Sequence, residues 1–181
     1  MTIYSTLLPS PFGLLTISAT CDGVRSLSFE DKKGENEIGA KPGDRHPLNY
    51  LELCTLSPHC KEQRVLQEAA ASLRYYFEGR TVEFSLPLAP SGTPFQRSVW
   101  RLLTTIPYGE TKSYGWIAEQ LGMRSGARAV GGACGSNPIP IIIPCHRVIA
   151  SNGAIGGYSG GGIGEGLSTK KRLLALEGVT V

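Results

Sequence analysis

Residues 139–149 read IPIIIPCHRVI: an apolar run meets Pro144, then Cys145, His146 and Arg147 set a thiol, an imidazole and a guanidinium side by side. The thiolate is the nucleophilic form of cysteine, and an ordinary thiol titrates near pH ~8.5, so a reactive Cys145 needs a neighbour that takes its proton or stabilises the anion. His146 and Arg147 are both candidates for that work. Adjacent side chains point different ways in helix and strand alike, and a bridging water is one way to join Cys145 to His146. The competing reading is a buried structural thiol.

The other cysteines are Cys21, Cys54, Cys60 and Cys134, making five in all, an odd number in a chain whose start has no export signal. That argues against a disulfide framework. Cys21 falls in a strand-like stretch and Cys134 in a small-residue helical one, so each is expected to be a buried small hydrophobe. His46, Cys54, His59 and Cys60 bring four possible zinc ligands close together. They lack a C-x2-C knuckle, and the adjacent His59 and Cys60 cannot easily reach one ion, so no metal is expected.

A hydrophobic content of 41% with 18% charged residues describes a globular chain rather than a disordered or fibrous one. MTIYSTLLPSPFGLL contains two prolines and lacks the basic start and unbroken apolar run of a leader, and no later segment approaches the roughly 20 apolar residues of a membrane span. The expected compartment is the cytoplasm. Charge is unevenly spread: residues 1–90 hold 9 Lys/Arg against 11 Asp/Glu, and residues 91–181 hold 9 against 4. The second half is therefore the better partner for a polyanion.

The elements that must position the thiol follow from periodicity. IYSTLL, GLLTISAT and GVRSLSFE, separated by turn signals at Pro9–Gly13 and Asp22-Gly23, predict an antiparallel meander. Residues 31–46 are charged, glycine-bearing and without period, which predicts a loop. Val65, Leu66, Ala69, Ala70, Leu73, Tyr76 and Phe77 recur at helical spacing up to Gly79, and SLPLAPSGTP over 85–94 reads as a linker. Next come a helix from Phe95 to Ile106, a second from Tyr114 to Leu121 with Ser113 as N-cap and Gly122 as stop, and a third over Ala127–Ser136 with Ser125 as N-cap. Two short helices so tightly joined predict a helix-turn-helix. The fold class is α+β: a small antiparallel sheet with one helix, then a mostly helical half.

The third of these helices, ARAVGGACG, is almost all alanine and glycine and lacks the Asn, Gln and paired Arg side chains that discriminate bases in the major groove. Either close helix packing or close approach of bare helix to DNA accounts for it. Arg128 is the one long side chain there, suited to a phosphate or to the gap left by a displaced base.

PCHRV, Asn137 eight residues upstream, GAIGGYSGG downstream, and the longer run from TPFQRSVW through RAVGGACGSNPIPIIIPCHRVI to LLALEG resemble the O6-alkylguanine-DNA alkyltransferases, the methylated-DNA protein-cysteine methyltransferases. The likeness covers the second half closely and the first half in general pattern.

It implies a ribonuclease H-like domain over 1–88 and a DNA-binding, alkyl-acceptor domain over 89–181. It implies a protein that flips O6-alkylguanine, and more weakly O4-alkylthymine, out of duplex DNA and moves the alkyl group irreversibly to Cys145, one turnover per molecule. In that scheme His146 takes the thiol proton through water, Glu177 orients His146, and Asn137 is the hinge beside the active-site segment. Tyr114 sits near the target phosphate and hydrogen-bonds the guanine. Pro140, Tyr158 and Ser159 line the pocket, while backbone groups at Cys145 and Val148 accept from the guanine amine. Arg128 fills the vacated stack, and Ser151 joins Arg128 and Tyr114 against the DNA. The partner is duplex DNA carrying alkylated bases, no cofactor is needed, and the protein is a monomer with scope for cooperative loading.

Two departures from the family bear on the pocket. Cys134 stands where a bulky apolar side chain is commoner, and the glycine-rich stretch after Gly161 is longer than usual. A non-enzymatic lesion binder and a thiol hydrolase are the rival readings. The first lacks the acceptor cysteine that this chain has, and the second leaves Arg128 and the glycine-alanine helix without a purpose.

Overall fold

The computed structural model describes residues 2–29, 48–49, 60–158 and 166–180. The chain divides into two compact units, Met1–Pro90 and Ser91–Val181.

In the first unit, β1 (Tyr4–Ser10), β2 (Gly13–Thr20) and β3 (Gly23–Phe29) form the antiparallel meander. A two-residue strand, β4 (Leu48–Asn49), adds parallel to β1, giving the order β3-β2-β1-β4. Alternation puts Leu15, Ile17 and Ala19 of β2 on one face. Helix α1 (Lys61–Phe77) packs on the sheet and buries Val65, Leu66, Ala69, Ala70, Leu73 and Tyr76. The β2–β3 turn depends on Gly23, whose φ of +139° favours glycine and whose added Cβ would collide with the Pro87 carbonyl.

That approach also shortens the expected linker, which contains the boundary between the two units at Pro90–Ser91. Val24 N donates to Pro87 O at 2.8 Å and Ala89 N to Val24 O at 2.8 Å, so the start of the 85–94 stretch is docked on β3. Cys21 is corrected as well: it lies in the turn between β2 and β3 and is exposed. Of the four possible zinc ligands, His46, Cys54 and His59 fall outside the described residues, and Cys60 is the N-cap of α1.

The second unit opens with α2 (Pro94–Leu103), started by a capping box in which Gln96 N donates to Thr93 Oγ1 at 3.2 Å and Thr93 N to Gln96 Oε1 at 2.8 Å. It ends earlier than its apolar pattern predicts, because Thr104–Ile106 tighten into a turn in which Ile106 N reaches Leu103 O. Val99, Trp100 and Leu103 are buried, and the Trp100 indole donates to Ala133 O at 2.8 Å. β5 (Lys112–Ser113) leads into α3 (Tyr114–Gln120), where Ser113 Oγ accepts from Trp116 N at 3.0 Å; Gly122, at φ +74°, lies just beyond the helix end.

Helix α4 (Ala127–Gly135) packs against α2 and α3, and its N-cap is Gly126 rather than Ser125. Gly126 is buried against Met123 and Ala118, which leaves no room for a side chain and moves the helix start past the serine. A 3-10 turn at Cys145–Arg147 follows, then β6 (Val148–Ile149), parallel to β5, and α5 (Gly166–Leu176). Among the described residues the fold is thus α+β with five α-helices, and no helix is long and apolar enough to cross a membrane.

Candidate active site

The sulfur is positioned by the segment that precedes it. Ile139, Ile141, Ile142 and Ile143 are all buried and anchor the run 139–143, while Asn137 closes it as a loop. Asn137 Nδ2 donates to Ile143 O at 2.8 Å and to Cys145 Sγ at 3.1 Å, and Asn137 Oδ1 accepts from Ile139 N at 3.0 Å. Ile141 holds φ +73°, a left-handed conformation that is costly for a β-branched side chain, with its neighbours' hydrogen bonds keeping it there. Pro140 is buried in this loop and bridges to Ile143. The apolar run therefore acts as a rigid support that delivers Cys145 at the first position of the 3-10 turn.

Cys145 is only 4% exposed, and burial pushes its thiol pKa up; the Asn137 amide and the nearby Lys170 ammonium act in the opposite direction. At rest the group is a neutral thiol. His146, buried next to it, directs Nε2 at Glu177 Oε1, 2.8 Å away. Arg147 joins the same carboxylate through Nε to Oε2 at 2.9 Å and Nη2 to Oε1 at 3.0 Å, and Gly109 N donates to Oε2 at 3.2 Å. Arg147 therefore faces Glu177 and the Ile106 carbonyl, which rules out the sequence-based idea that it serves the thiolate directly. Burial alone would raise the Glu177 pKa, but hydrogen bonds and charge from His146 and Arg147 outweigh it and hold it down at about 2. Burial lowers the His146 pKa, so the imidazole is neutral near pH 7.

An open pocket of about 650 Å³ is lined by Tyr114, Arg128, Gly131, Gly156 and Tyr158 among others, and Cys145, His146 and Glu177 are not among its lining residues. Tyr114 enters it from the first turn of α3, and burial, with help from the Cys134 and Cys145 charges, lifts its pKa to about 12. Arg128 is exposed on α4. Ser151 is exposed in the turn closed by the Ala150–Ala154 hydrogen bond, and Ser159 lies outside the described residues. Cys134 is buried on α4 as expected, and burial followed by the Cys145 charge raises its pKa to about 12.

Sequence reasoning missed Lys170. It is fully buried on α5, with Nζ 2.6 Å from Val148 O and 3.4 Å from Tyr114 Oη, and burial lowers its pKa. The Val148 carbonyl, expected to face a guanine amine, thus already accepts from a lysine. A signal for Lys170 did exist: Thr169, Lys170, Leu173, Leu174 and Glu177 follow helical spacing, whereas Lys171 and Arg172 fall off that face and are exposed.

Residues 3–90 match the ribonuclease-like domain of 6-O-methylguanine DNA methyltransferase, and residues 94–179 match that family's DNA-binding domain. The methylated-DNA–protein-cysteine methyltransferase of Methanosarcina acetivorans is 38% identical over 176 residues, 97% of this chain and 99% of that protein. Its namesake from Mycolicibacterium paratuberculosis is 54% identical over 168 residues, 93% of this chain and 88% of the relative. The crystal structure of the Mycobacterium tuberculosis O6-methylguanine methyltransferase superposes with a TM-score of 0.75 at 38% identity, covering 97% of this chain and 93% of the other. That of M. tuberculosis OGT in complex with DNA gives a TM-score of 0.73 at 37% identity, covering 96% and 92%. With both of its units matched, the chain belongs to the methylated-DNA–protein-cysteine methyltransferase family.

Proposed function

We propose that this protein repairs DNA by taking the alkyl group of O6-alkylguanine, and more weakly of O4-alkylthymine, onto Cys145, each molecule acting once. The observation that carries the reading is Cys145 Sγ, held 3.1 Å from Asn137 Nδ2 next to the buried His146–Glu177 pair. An O6-alkyl group lies inside the duplex, so the base must leave the stack, at a cost of about a few kcal/mol that is lower for a damaged pair. Helices α3 and α4 act as a helix-turn-helix whose bare alanine-glycine surface allows the backbone of α4 to approach DNA closely. Arg128 fills the gap left by the base, and Tyr114 and Ser151 face the phosphates. Pro140, Tyr158 and Ser159 enclose the guanine, while carbonyls at Cys145 and Val148 face its amine.

The reaction is a displacement at carbon. Ionised Glu177 accepts from Nε2–H of His146, which leaves Nδ1 to receive the thiol proton through a water. The thiolate sulfur forms the new S–C bond as the C–O6 bond breaks, and the guanine leaves with a proton from Tyr114, whose own hydroxyl is backed by Lys170. The product thioether has no good leaving group, so the molecule is consumed. The first domain, residues 1–88, is ribonuclease H-like and supports the second. The free thiols of Cys21, Cys60, Cys134 and Cys145 suit the reducing cytoplasm, where the protein works as a monomer, with scope for cooperative loading on DNA.

The test is mass spectrometry after incubation with a duplex carrying O6-methylguanine. The expected result is a gain of one methylene unit, localised to Cys145, capped at one equivalent and abolished in Cys145→Ser. Repeated turnover, or an unchanged mass, overturns the reading.

A further inference from the structure

The transfer as proposed gives Arg147 no contact with the reacting atoms, yet its side chain is among the most tightly held in the site. Nη1 donates to the Ile106 carbonyl, 2.6 Å away, and the guanidinium lies 5.9 Å from the Tyr108 ring centre. The Tyr108 hydroxyl in turn donates to Leu176 O at 2.8 Å. Segment 106–109, the 3-10 turn and the end of α5 therefore meet around one planar fork. Both nitrogens of that fork which face α5 land on Glu177.

Among the described residues four N–H groups converge on the Glu177 carboxylate: His146 Nε2 and Arg147 Nη2 on Oε1, Arg147 Nε and Gly109 N on Oε2. Two carboxylate oxygens present about four lone-pair sites, so these donors fill them. A guanidinium and a backbone amide cannot accept, and only the histidine can change role. Two proton arrangements thus compete. In one, Glu177 is ionised, His146 carries its proton on Nε2, and Nδ1 is basic. In the other, the pair has taken up one proton more, shared between the carboxyl and Nε2, while Nδ1 also carries hydrogen and can take nothing from the thiol. Only the first serves transfer, and a permanent cation lying bidentate on the carboxylate is what selects it.

We infer that Arg147 is a positioning residue for the transfer reaction, pairing with Glu177 to keep it ionised and thereby fixing His146 as the Nε2–H tautomer, in which Nδ1 is the basic nitrogen. The inference rests on the transfer proposed above. It predicts more than a loss of rate, because Arg147 also opposes a positive charge on His146. The charged and titratable groups around that ring are Glu177, Arg147, Lys170 on α5 and the Cys145 thiol, with Tyr108 behind the carboxylate. Arg147 and Lys170 disfavour the imidazolium, and Glu177 favours it. Removing Arg147 leaves the carboxylate less neutralised, so the imidazole picks up a proton at higher pH and ceases to be a base there.

The experiment measures benzyl transfer from free O6-benzylguanine to Cys145 as a function of pH in the full-length protein and in Arg147→Met and Arg147→Lys. In Arg147→Met the acid limb of the rate profile should move upward by about one pH unit, a tenfold change in proton concentration. In Arg147→Lys, which keeps the charge but loses the fork, the limb should stay near the native position with a lower plateau. Because Arg147→Met can fail to fold, nitrogen-15 spectra of native His146 supply a second reading, with the Nε2–H tautomer expected at neutral pH. A profile lowered equally at every pH in both variants, or a native His146 found as Nδ1–H or imidazolium, overturns the inference. Failure of the native protein to take the benzyl group at all would instead overturn the proposed function.

Discussion

Asn137 and Cys145 are joined by an amide that serves two acceptors: the same Nδ2 donates to the Ile143 carbonyl at 2.8 Å and to the Cys145 sulfur at 3.1 Å. One side chain thus closes the loop and touches the nucleophile. Asn137→Ala should destabilise the fold by roughly 1–3 kcal/mol, because the buried Ile139 N–H loses its acceptor and the Ile143 carbonyl keeps only the Cys145 N–H. It should also slow alkyl transfer, since the thiolate loses a donor. Urea unfolding and single-turnover transfer read the two effects separately, and an unchanged unfolding midpoint would refute the structural half.

Gly156 and Gly157 provide a matched pair of substitutions. A Cβ on Gly156 would stand 2.7 Å from the Tyr114 hydroxyl, whereas one on Gly157 meets nothing within 4 Å. Gly156→Ala is expected to displace Tyr114 or the loop and cut the transfer rate, while Gly157→Ala leaves it near the native value. Equal rates in both variants would show that the contact is not limiting.

Acid stability should follow Glu177. Its folded pKa of about 2 lies below the ordinary value of 4.5, so its contribution is complete above that value and is lost as pH falls through about 2. The shift corresponds to on the order of 3 kcal/mol at neutral pH. His146 adds an earlier loss, beginning as pH drops below its ordinary 6.5, because the unfolded chain takes up a proton that the buried ring resists. Glu177→Gln should flatten the low-pH part of a stability profile measured by denaturant titration. A steep decline persisting in that variant would assign the effect to another group.

Arg128 is exposed beside the cavity and serves only when a base must be extruded, on the proposed reading. Arg128→Ala should therefore weaken repair of a duplex lesion strongly and leave reaction with free O6-benzylguanine unchanged. Equal losses on both substrates would refute the role.

Much of this was legible in the chain because it depends on short-range pattern. The alternation in GLLTISAT, the spacing of Val65 to Tyr76 and the Ser113 cap are local signals, and the structure places each element within a few residues. The exceptions are places where tertiary contact decides. Gly126 takes the cap from Ser125 because Met123 and Ala118 crowd it. Cys21 is exposed because the hairpin turn falls on it, one residue past a run of buried positions. The partner of Arg147 lies 30 residues away at Glu177, and no spacing rule reaches that far. Lys170 looks like part of a basic surface, and only the phase it shares with Leu173 and Leu174 reveals that its charge is turned inward.

The burial of Cys145 has a consequence for how long the protein lasts. A sulfur 4% exposed and kept protonated reacts slowly with the small oxidants and electrophiles that fill a cell. On the proposed single-use reading such a reagent must survive storage, and the walls that bury the sulfur give the idle molecule its shelf life.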